Sequence, residues 1–235
     1  MIKEGFSLKF ISALVIFIII HTNIYANDKD MKIRLKSPGF KKEESLKAIL
    51  QRRYSCRDFQ DRILNLDDVA TILWATCGKK QDSVTGATRT APSAGATYPL
   101  ELYLVVGKNG VDRLKEGLYH YLIDEHTLEM IIEADKREEL ARACLGQYFI
   151  KEAPISLIIT AKFHRTANHY GKRGERYVYI EAGHAGQNTY LAATNLGLGT
   201  VEVGAFTDEN VKGLLNLDKD CEPLIVMPIG YPSKN

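Results

Sequence analysis

The sequence predicts an α+β domain. Three observations carry that reading. Helical and extended patterns follow one another without a regular β-α-β rhythm. The run from Ile155 to Ala161 is continuously apolar, as in a strand buried on both faces. Neither G-x-G-x-x-G nor G-x-x-x-x-G-K-[ST] occurs, so the signatures of a nucleotide-binding parallel sheet are missing.

The elements follow in order. From Glu44, the apolar residues Leu46, Ile49 and Leu50 recur at helical spacing and lead into Arg52-Arg53. Asn65 can cap a second helix. Asp67 and Asp68 suit its positive end, Val69, Ile72 and Leu73 give its apolar face, and Gly78 stops it. Residues 79–97 are rich in Gly, Ser, Thr and Ala, with Pro92, and are expected to form one long loop. Leu102 to Val106 reads as a strand ended by Gly107. Leu118 to Ile123 and Thr127 to Ile132 read as a hairpin around Asp124-Glu125-His126. Arg137 to Leu145 is a short helix, and Pro154 opens the strand Ile155 to Ala161. Glu175 to Leu196 is a long helix ended by Gly197 and Gly199. Thr200 to Val203 is short and extended, Thr207 caps a small helix to Leu215, and Leu224 to Ile229 is the last strand.

With 235 residues, 45% hydrophobic and 26% charged, the chain suits one ordinary domain or two small ones and is too apolar to be disordered. Lys and Arg number 31 against 29 Asp and Glu, and no long basic block occurs, so nucleic acid is not an expected partner. The cysteines Cys56, Cys77, Cys144 and Cys221 are far apart and share no C-x-x-C spacing. They exclude a disulfide scaffold and read as buried free thiols, with one or two disulfides as the alternative in an exported chain.

The start of the chain is of another kind. Lys3 and Lys9 precede the apolar run Phe10 to Ile20, and Ile24-Tyr25-Ala26 is followed by charged residues. Residues 1–26 therefore read as a secretory signal peptide cut near Ala26. As a helix the apolar run reaches about 17 Å, short of the ~30 Å hydrocarbon core, so no membrane span is expected after cleavage. Export to the periplasm or the exterior follows. Residues 27–45 are expected to be a flexible arm and residues 46–235 the folded domain.

Three clusters could carry chemistry. In Arg52-Arg53-Tyr54-Ser55-Cys56-Arg57 the residues Arg53, Ser55 and Arg57 alternate, so an extended segment would aim all three at one anion. Alone, the cluster is either a phosphate grip or a solvated basic patch. Pro92-Ser93-Ala94-Gly95 is small enough to let backbone approach a flat ligand, or it is a plain surface loop. Around Val203-Gly204-Ala205, exposed N–H groups at a turn could donate to a ring ligand, or the turn serves packing. Glu181 and His184 have a metal-capable helical spacing. A second Glu-x-x-His is missing, so no metal site is read and His184 is expected to be packed in the core. Tyr177, Tyr179 and Tyr190 on the same helix are expected to be packing contacts, in the core or between subunits if the chain associates, rather than a ligand box.

Taken in order, these motifs make the sequence resemble the FMN-dependent nitroreductase family, in its branch of SagB-type dehydrogenases related to thiazole/oxazole-forming peptide oxidases. The marks are Arg53-x-Ser55-x-Arg57-x-Phe59, Pro92-Ser93-Ala94-Gly95-x-x-x-Pro99-Leu100-Glu101 and Gly117-Leu118-Tyr119-His120-Tyr121. They continue with Glu181-Ala182-Gly183-His184-Ala185-Gly186-Gln187-Asn188, Gly197-Leu198-Gly199-Thr200, Val203-Gly204-Ala205-Phe206 and Gly230-Tyr231-Pro232. The resemblance runs from about Leu46 to Pro232.

It implies a nitroreductase-like fold, a central, mostly antiparallel sheet flanked by helices, in an interlocked homodimer with FMN at the subunit interface. Arg53, Ser55 and Arg57 would hold the flavin phosphate, with Lys234 as a further candidate. Pro92, Ser93, Ala94 and Gly95 would come from the other subunit and pass over the ring. Backbone around Val203, Gly204 and Ala205 would reach the N5/O4 edge. The implied chemistry is hydride or electron transfer at the flavin N5 by ping-pong exchange, with NAD(P)H or another donor and a small molecule or peptide as the other substrate. Tyr170 matches the tyrosine of a Lys-Tyr pair that lies over the flavin in the peptide-oxidising branch, and His169 stands at the lysine position. Both are candidate catalytic residues. Two alternatives stay open: an azoline peptide dehydrogenase, and a flavin-binding protein without turnover.

Overall fold

The computed structural model describes residues 31–40, 43–84 and 86–233. The expected signal peptide at residues 1–26 and the candidate Lys234 lie outside the described residues. In chain order the first half contains β1 (Lys32–Arg34), α1 (Leu46–Arg52), α2 (Leu66–Cys77), β2 (Lys79–Asp82), β3 (Gly86–Arg89), a 3-10 turn (Ala94–Ala96) and β4 (Leu100–Val106). Next come β5 (Gly117–Leu122), β6 (Thr127–Ile132), α3 (Arg137–Ala143), α4 (Phe149–Glu152) and β7 (Ile155–Lys162). The last elements are α5 (His164–Tyr170), α6 (Arg173–Asn195), β8 (Gly199–Thr200), α7 (Asp208–Leu215) and β9 (Cys221–Gly230).

Local chemistry sets the helix starts. The Ser45 hydroxyl accepts the Ala48 N–H at 3.2 Å and opens α1. The Asn65 side chain accepts the Asp67 N–H at 2.8 Å and opens α2, with Asp67 and Asp68 in the first turn. Both starts agree with the sequence reading.

Seven strands form one sheet in the order β1-β6-β5-β4-β7-β9-β8, and the paired strands are all antiparallel. The apolar run expected to be buried on both faces is β7, and Leu157, Ile158 and Ile159 are each 0% exposed. On one side Val105, Leu118, Ile158 and Val226 pack with Leu140 and Ile150 near α3 and α4 and with Val211 and Leu215 of α7. Each such fully buried side chain contributes about 1.5–3 kcal/mol relative to exposure. The long helix α6 contacts β4, β7 and β9 and also packs against α2 and α5.

Three stretches differ from expectation. Residues 79–97 are not one loop, because β2 and β3 pair as an antiparallel hairpin from Lys79–Arg89 to Asp82–Gly86. Its residues are polar, so the ladder of backbone hydrogen bonds holds it without an apolar alternation to announce it. The Trp74 indole donates to Lys79 O at 3.0 Å and Thr90 N donates to Gly78 O at 2.9 Å, which seats the hairpin at the end of α2. Within residues 27–45, Lys32–Arg34 are not a loose arm but the edge strand beside β6, and Leu35 is buried. The segment around His169 and Tyr170, to which the sequence reading assigned no element, is the end of helix α5. The four cysteines are buried and unpaired. Among the described residues no helix is long and apolar enough to cross a membrane.

Candidate functional site

Residues 53–57 leave α1 and run beside the turn that follows α6. Ser55 bridges to Thr200 in parallel, and Cys56 N donates to Thr200 O at 2.9 Å. The approach is close enough to require glycine at position 199. A Cβ there would lie 2.6 Å from the Cβ of Cys56. The alternation expected of this segment divides its side chains. Arg52 is forked onto Glu44 and is committed to that carboxylate. The guanidinium of Arg53 lies 5.2 Å from the centroid of the Tyr190 ring. The Ser55 Oγ lies 3.3 Å from the Tyr190 hydroxyl. Arg57 is exposed, with its guanidinium 6.0 Å from the ring centroid of Phe149.

Tyr190, on α6, joins this cluster to the third one. Its hydroxyl accepts the Glu202 N–H at 2.8 Å, immediately before Val203-Gly204-Ala205. Val203 is buried and exchanges backbone hydrogen bonds of 2.9 Å with Val226. Gly204 and Ala205 are exposed, and their N–H groups donate to no other described residue. Gln147 Nε2 donates to Ala205 O at 3.1 Å and fixes the turn. A Cβ on Gly204 would meet nothing within 4 Å, so the space beside it is open. Tyr190 is itself 8% exposed. Its burial fits the sequence reading, but its position between two predicted clusters was not readable. The contact joins residues 135 apart in the chain, and no local pattern marks it.

The second cluster forms a separate center with the candidate catalytic pair. Pro92 is exposed, Ser93 and Ala94 are half-buried, and Gly95 sits in the left-handed region at φ 58°. The helix α5 is bolted onto this segment. Thr97 Oγ1 and Thr166 Oγ1 lie 2.8 Å apart, and Arg165 Nη1 donates to Tyr98 O at 3.0 Å. Tyr170 ends α5 directly over Gly95, where a Cβ would lie 2.7 Å from the Tyr170 hydroxyl. The His169 ring packs edge-on against Tyr170 at 4.5 Å, and Tyr177 does the same from α6 at 5.0 Å.

The structure overturns the expectation for His184 in the Glu-x-x-His pair on α6. His184 is exposed, not packed in the core, because its position on α6 faces away from the sheet. Glu181 is the buried member, 3% exposed. Burial pushes its carboxyl up to about 7, against the opposing pull of a hydrogen bond with Ser93 and the charge of Arg89. Among the described residues no group of three metal-ligating side chains occurs.

Within one chain, then, Arg53 and Ser55 meet the Val203–Ala205 turn at Tyr190, while Pro92–Gly95 meet Tyr170 and lie beside Glu181. Nine residues of α6 separate Tyr190 from Glu181, a rise of roughly 13 Å.

Comparisons with known proteins identify the family. The model of the nitroreductase family matches residues 50–231. MJ1384 of Methanocaldococcus jannaschii, which carries a provisional nitroreductase name, is 44% identical over 188 residues, 80% of this chain and 91% of that protein. The trifolitoxin-processing protein TfxB of Rhizobium leguminosarum bv. trifolii is 32% identical over 161 residues. That alignment spans 64% of this chain but only 43% of TfxB. Among solved structures, a provisionally named nitroreductase of Ralstonia eutropha has a TM-score of 0.74 at 28% identity, covering 89% of this chain and 93% of its own. The NADPH:FMN oxidoreductase of Vibrio harveyi, solved with NAD+, shares the fold at a TM-score of 0.57 and 20% identity, covering 80% of this chain and 69% of its own. The chain belongs to the nitroreductase family, with a more distant similarity to TfxB.

Proposed function

We propose that this protein is an FMN-dependent oxidoreductase acting as a homodimer. The observation that carries the proposal is the convergence at Tyr190. There, the donors suited to a phosphate, Arg53 and Ser55, meet a turn with exposed N–H groups at Gly204 and Ala205. The donor set fits the cofactor. Guanidinium forks and a hydroxyl suit a phosphate, and free backbone donors beside open space suit the polar edge of a flat ring.

When bound, FMN supplies hydride transfer at its N5 atom with ping-pong exchange between two substrates. The chain supplies the rest. Arg53, Ser55 and Arg57 hold the phosphate, and the Gly204 and Ala205 N–H groups orient the ring edge. Pro92, Ser93, Ala94 and Gly95 of a second copy cover the ring and exclude water. Tyr170 and His169, seated on that segment, line the substrate side. Leu46 and Leu50 on α1 and Tyr179 and Ile180 on α6 are exposed apolar residues that a dimer would cover. Export, with residues 1–26 as a cleaved signal, is part of the proposal and rests on the sequence.

The electron donor is NAD(P)H or another reductant of the exported compartment. NADH and NADPH added anaerobically to the flavin-loaded protein test the reading. Bleaching of the flavin bands, restored by an acceptor, is the expected result. Bound flavin that dithionite reduces but no physiological donor does would leave a binding protein without turnover.

The similarity to TfxB favors one second reading, oxidation of an azoline ring in a modified peptide. His169 stands where the peptide-oxidising branch has lysine, which replaces a long flexible amine with a shorter planar ring. Dehydrogenation of an azoline peptide by the loaded protein would favor that reading.

A further inference from the structure

Two residues of the sequence motifs, Glu101 of Pro99-Leu100-Glu101 and His120 of Gly117–Tyr121, have no part in the proposed chemistry. The sheet brings them together. Glu101 and Tyr103 share one face of β4, while Leu100 and Leu102 are buried on the other. His120 on β5 is the cross-strand partner of Tyr103, and the two rings stack with centroids 4.7 Å apart. The Nε2 of His120 lies 3.0 Å from Glu101 Oε2. A carboxylate only accepts, so this nitrogen carries the proton. The other carboxylate oxygen, Oε1, accepts from Arg165 Nη2 on α5 at 2.6 Å. Burial opposes the charge on Glu101, but the hydrogen bonds from His120 and Arg165 outweigh it and hold the carboxyl below its ordinary value.

The second arm of the Arg165 fork, Nη1, donates to Tyr98 O at 3.0 Å, just beyond the Pro92–Gly95 segment. One guanidinium therefore joins the sheet, that segment and α5. The other polar ties of α5 among the described residues do less. Thr166 Oγ1 meets Thr97 Oγ1 at 2.8 Å, which reaches the segment but not the sheet. His164 Nδ1 lies 3.1 Å from Asp220 Oδ2, but these side chains are 48% and 51% exposed, where an ion pair contributes little. Tyr170 follows Arg165 along the same helix by a rise of about 7.5 Å. Its ring lies against Gly95, where a Cβ would be 3.2 Å from Cε2 and 3.3 Å from Cζ. A small tilt of α5 about Thr166 would carry that ring away from the segment.

We propose that Arg165, aimed by Glu101 and His120, is a positioning residue that holds Tyr170 over Gly95 by gripping the sheet with one arm of its fork and Tyr98 O with the other. The fork is what the position requires. A lysine keeps the charge but is a point donor that cannot serve both acceptors in this geometry. The inference rests on the reading of Tyr170 as a substrate-side residue of a flavin site and deepens it, since Arg165 acts on the substrate only through Tyr170.

The test has two arms. The first needs no flavin. The 15N–1H resonance of Gly95 lies beside the Tyr170 ring and reports its position through the ring current. In the full chain it is expected to shift in Arg165→Lys, and in the same direction in Glu101→Gln. A Gly95 resonance unmoved in both variants overturns the inference. The second arm reads the reaction. FMN-loaded protein is photoreduced without oxygen and mixed with nitrobenzoate, and the return of the flavin absorbance is followed. Arg165→Lys is expected to lower the limiting rate about fivefold or more, with FMN affinity unchanged, and to lower it less than about twofold when Tyr170→Phe is already present. A merely structural loss would be the same in both backgrounds. An equal loss with and without Tyr170→Phe, or no loss at all, overturns the inference. A protein that binds no FMN, or whose reduced flavin is inert to nitrobenzoate, counts against the flavin reading instead, and the Gly95 resonance still decides whether Arg165 sets Tyr170.

Discussion

The hydroxyl of Tyr190 accepts the backbone N–H of Glu202 at 2.8 Å. Because that oxygen is used as an acceptor, its own proton is free to donate toward Ser55 Oγ, 3.3 Å away. One side chain on α6 thereby sets the distance between the phosphate-type donors and the Gly204-Ala205 turn.

Removing that hydroxyl should loosen both. Tyr190→Phe leaves the ring under Arg53 but strips the acceptor from Glu202 N–H and the partner from Ser55. A loss of about 1 kcal/mol in stability is expected, with FMN affinity weakened about threefold to tenfold. Denaturant unfolding and a flavin titration check the two effects. An unchanged affinity would remove Tyr190 from the cofactor site.

Gly95 has φ 58°, where a side chain is strained. Gly95→Ala is expected to cost about 1–2 kcal/mol for the left-handed conformation. Its new methyl would also press on the hydroxyl end of Tyr170, which can move aside. The outcome to measure is a lower unfolding midpoint together with reduced turnover. Full stability would mean that the segment relaxes to a different backbone path.

Tyr170→Phe keeps the edge-on contacts with His169 and Tyr177 and removes only the hydroxyl. Flavin binding should be unchanged and turnover reduced tenfold or more if the hydroxyl acts on the substrate. Unchanged turnover with bound flavin takes Tyr170 out of the mechanism.

Glu181 makes stability depend on pH. Its ordinary value is 4.5 and burial raises it to about 7 in the folded chain. Below the lower value, both folded and unfolded chains hold the proton and stability is at its fullest. Between the two values the unfolded chain ionises and the folded one does not, so stability falls as pH rises. Above the upper value the loss levels off at about 3 kcal/mol. Glu181→Gln is therefore expected to be more stable than the unaltered protein at pH 8, with the gap closing toward pH 4.5. Urea denaturation at several pH values checks it, and a constant gap would contradict a buried, titrating Glu181.

The sequence made the center of the sheet legible because β4, β5, β6 and β7 are apolar runs with clear ends. It hid β1, β2 and β3, whose residues are polar or mixed and are held by ladder hydrogen bonds. Helix α5 was hidden too. It is seven residues long and lacks a side-chain N-cap, so neither periodicity nor capping marks it. The three chemical clusters were legible as motifs. Their connections were not, because Tyr190 looks like any half-apolar packing residue until Ser55 and Glu202 arrive at its hydroxyl. The exposure of His184 was hidden for a similar reason. Spacing says that the two share a side of the helix, but not which one the sheet and the Ser93 segment cover.

The central claim is that this chain binds FMN through Arg53, Ser55 and Arg57. Its most direct test is a fluorescence titration of the purified protein with FMN, alongside Arg57→Ala. The account predicts saturable quenching with one FMN per chain, and affinity at least tenfold weaker in the variant. No quenching by the unaltered protein, or equal affinity in both, would contradict it.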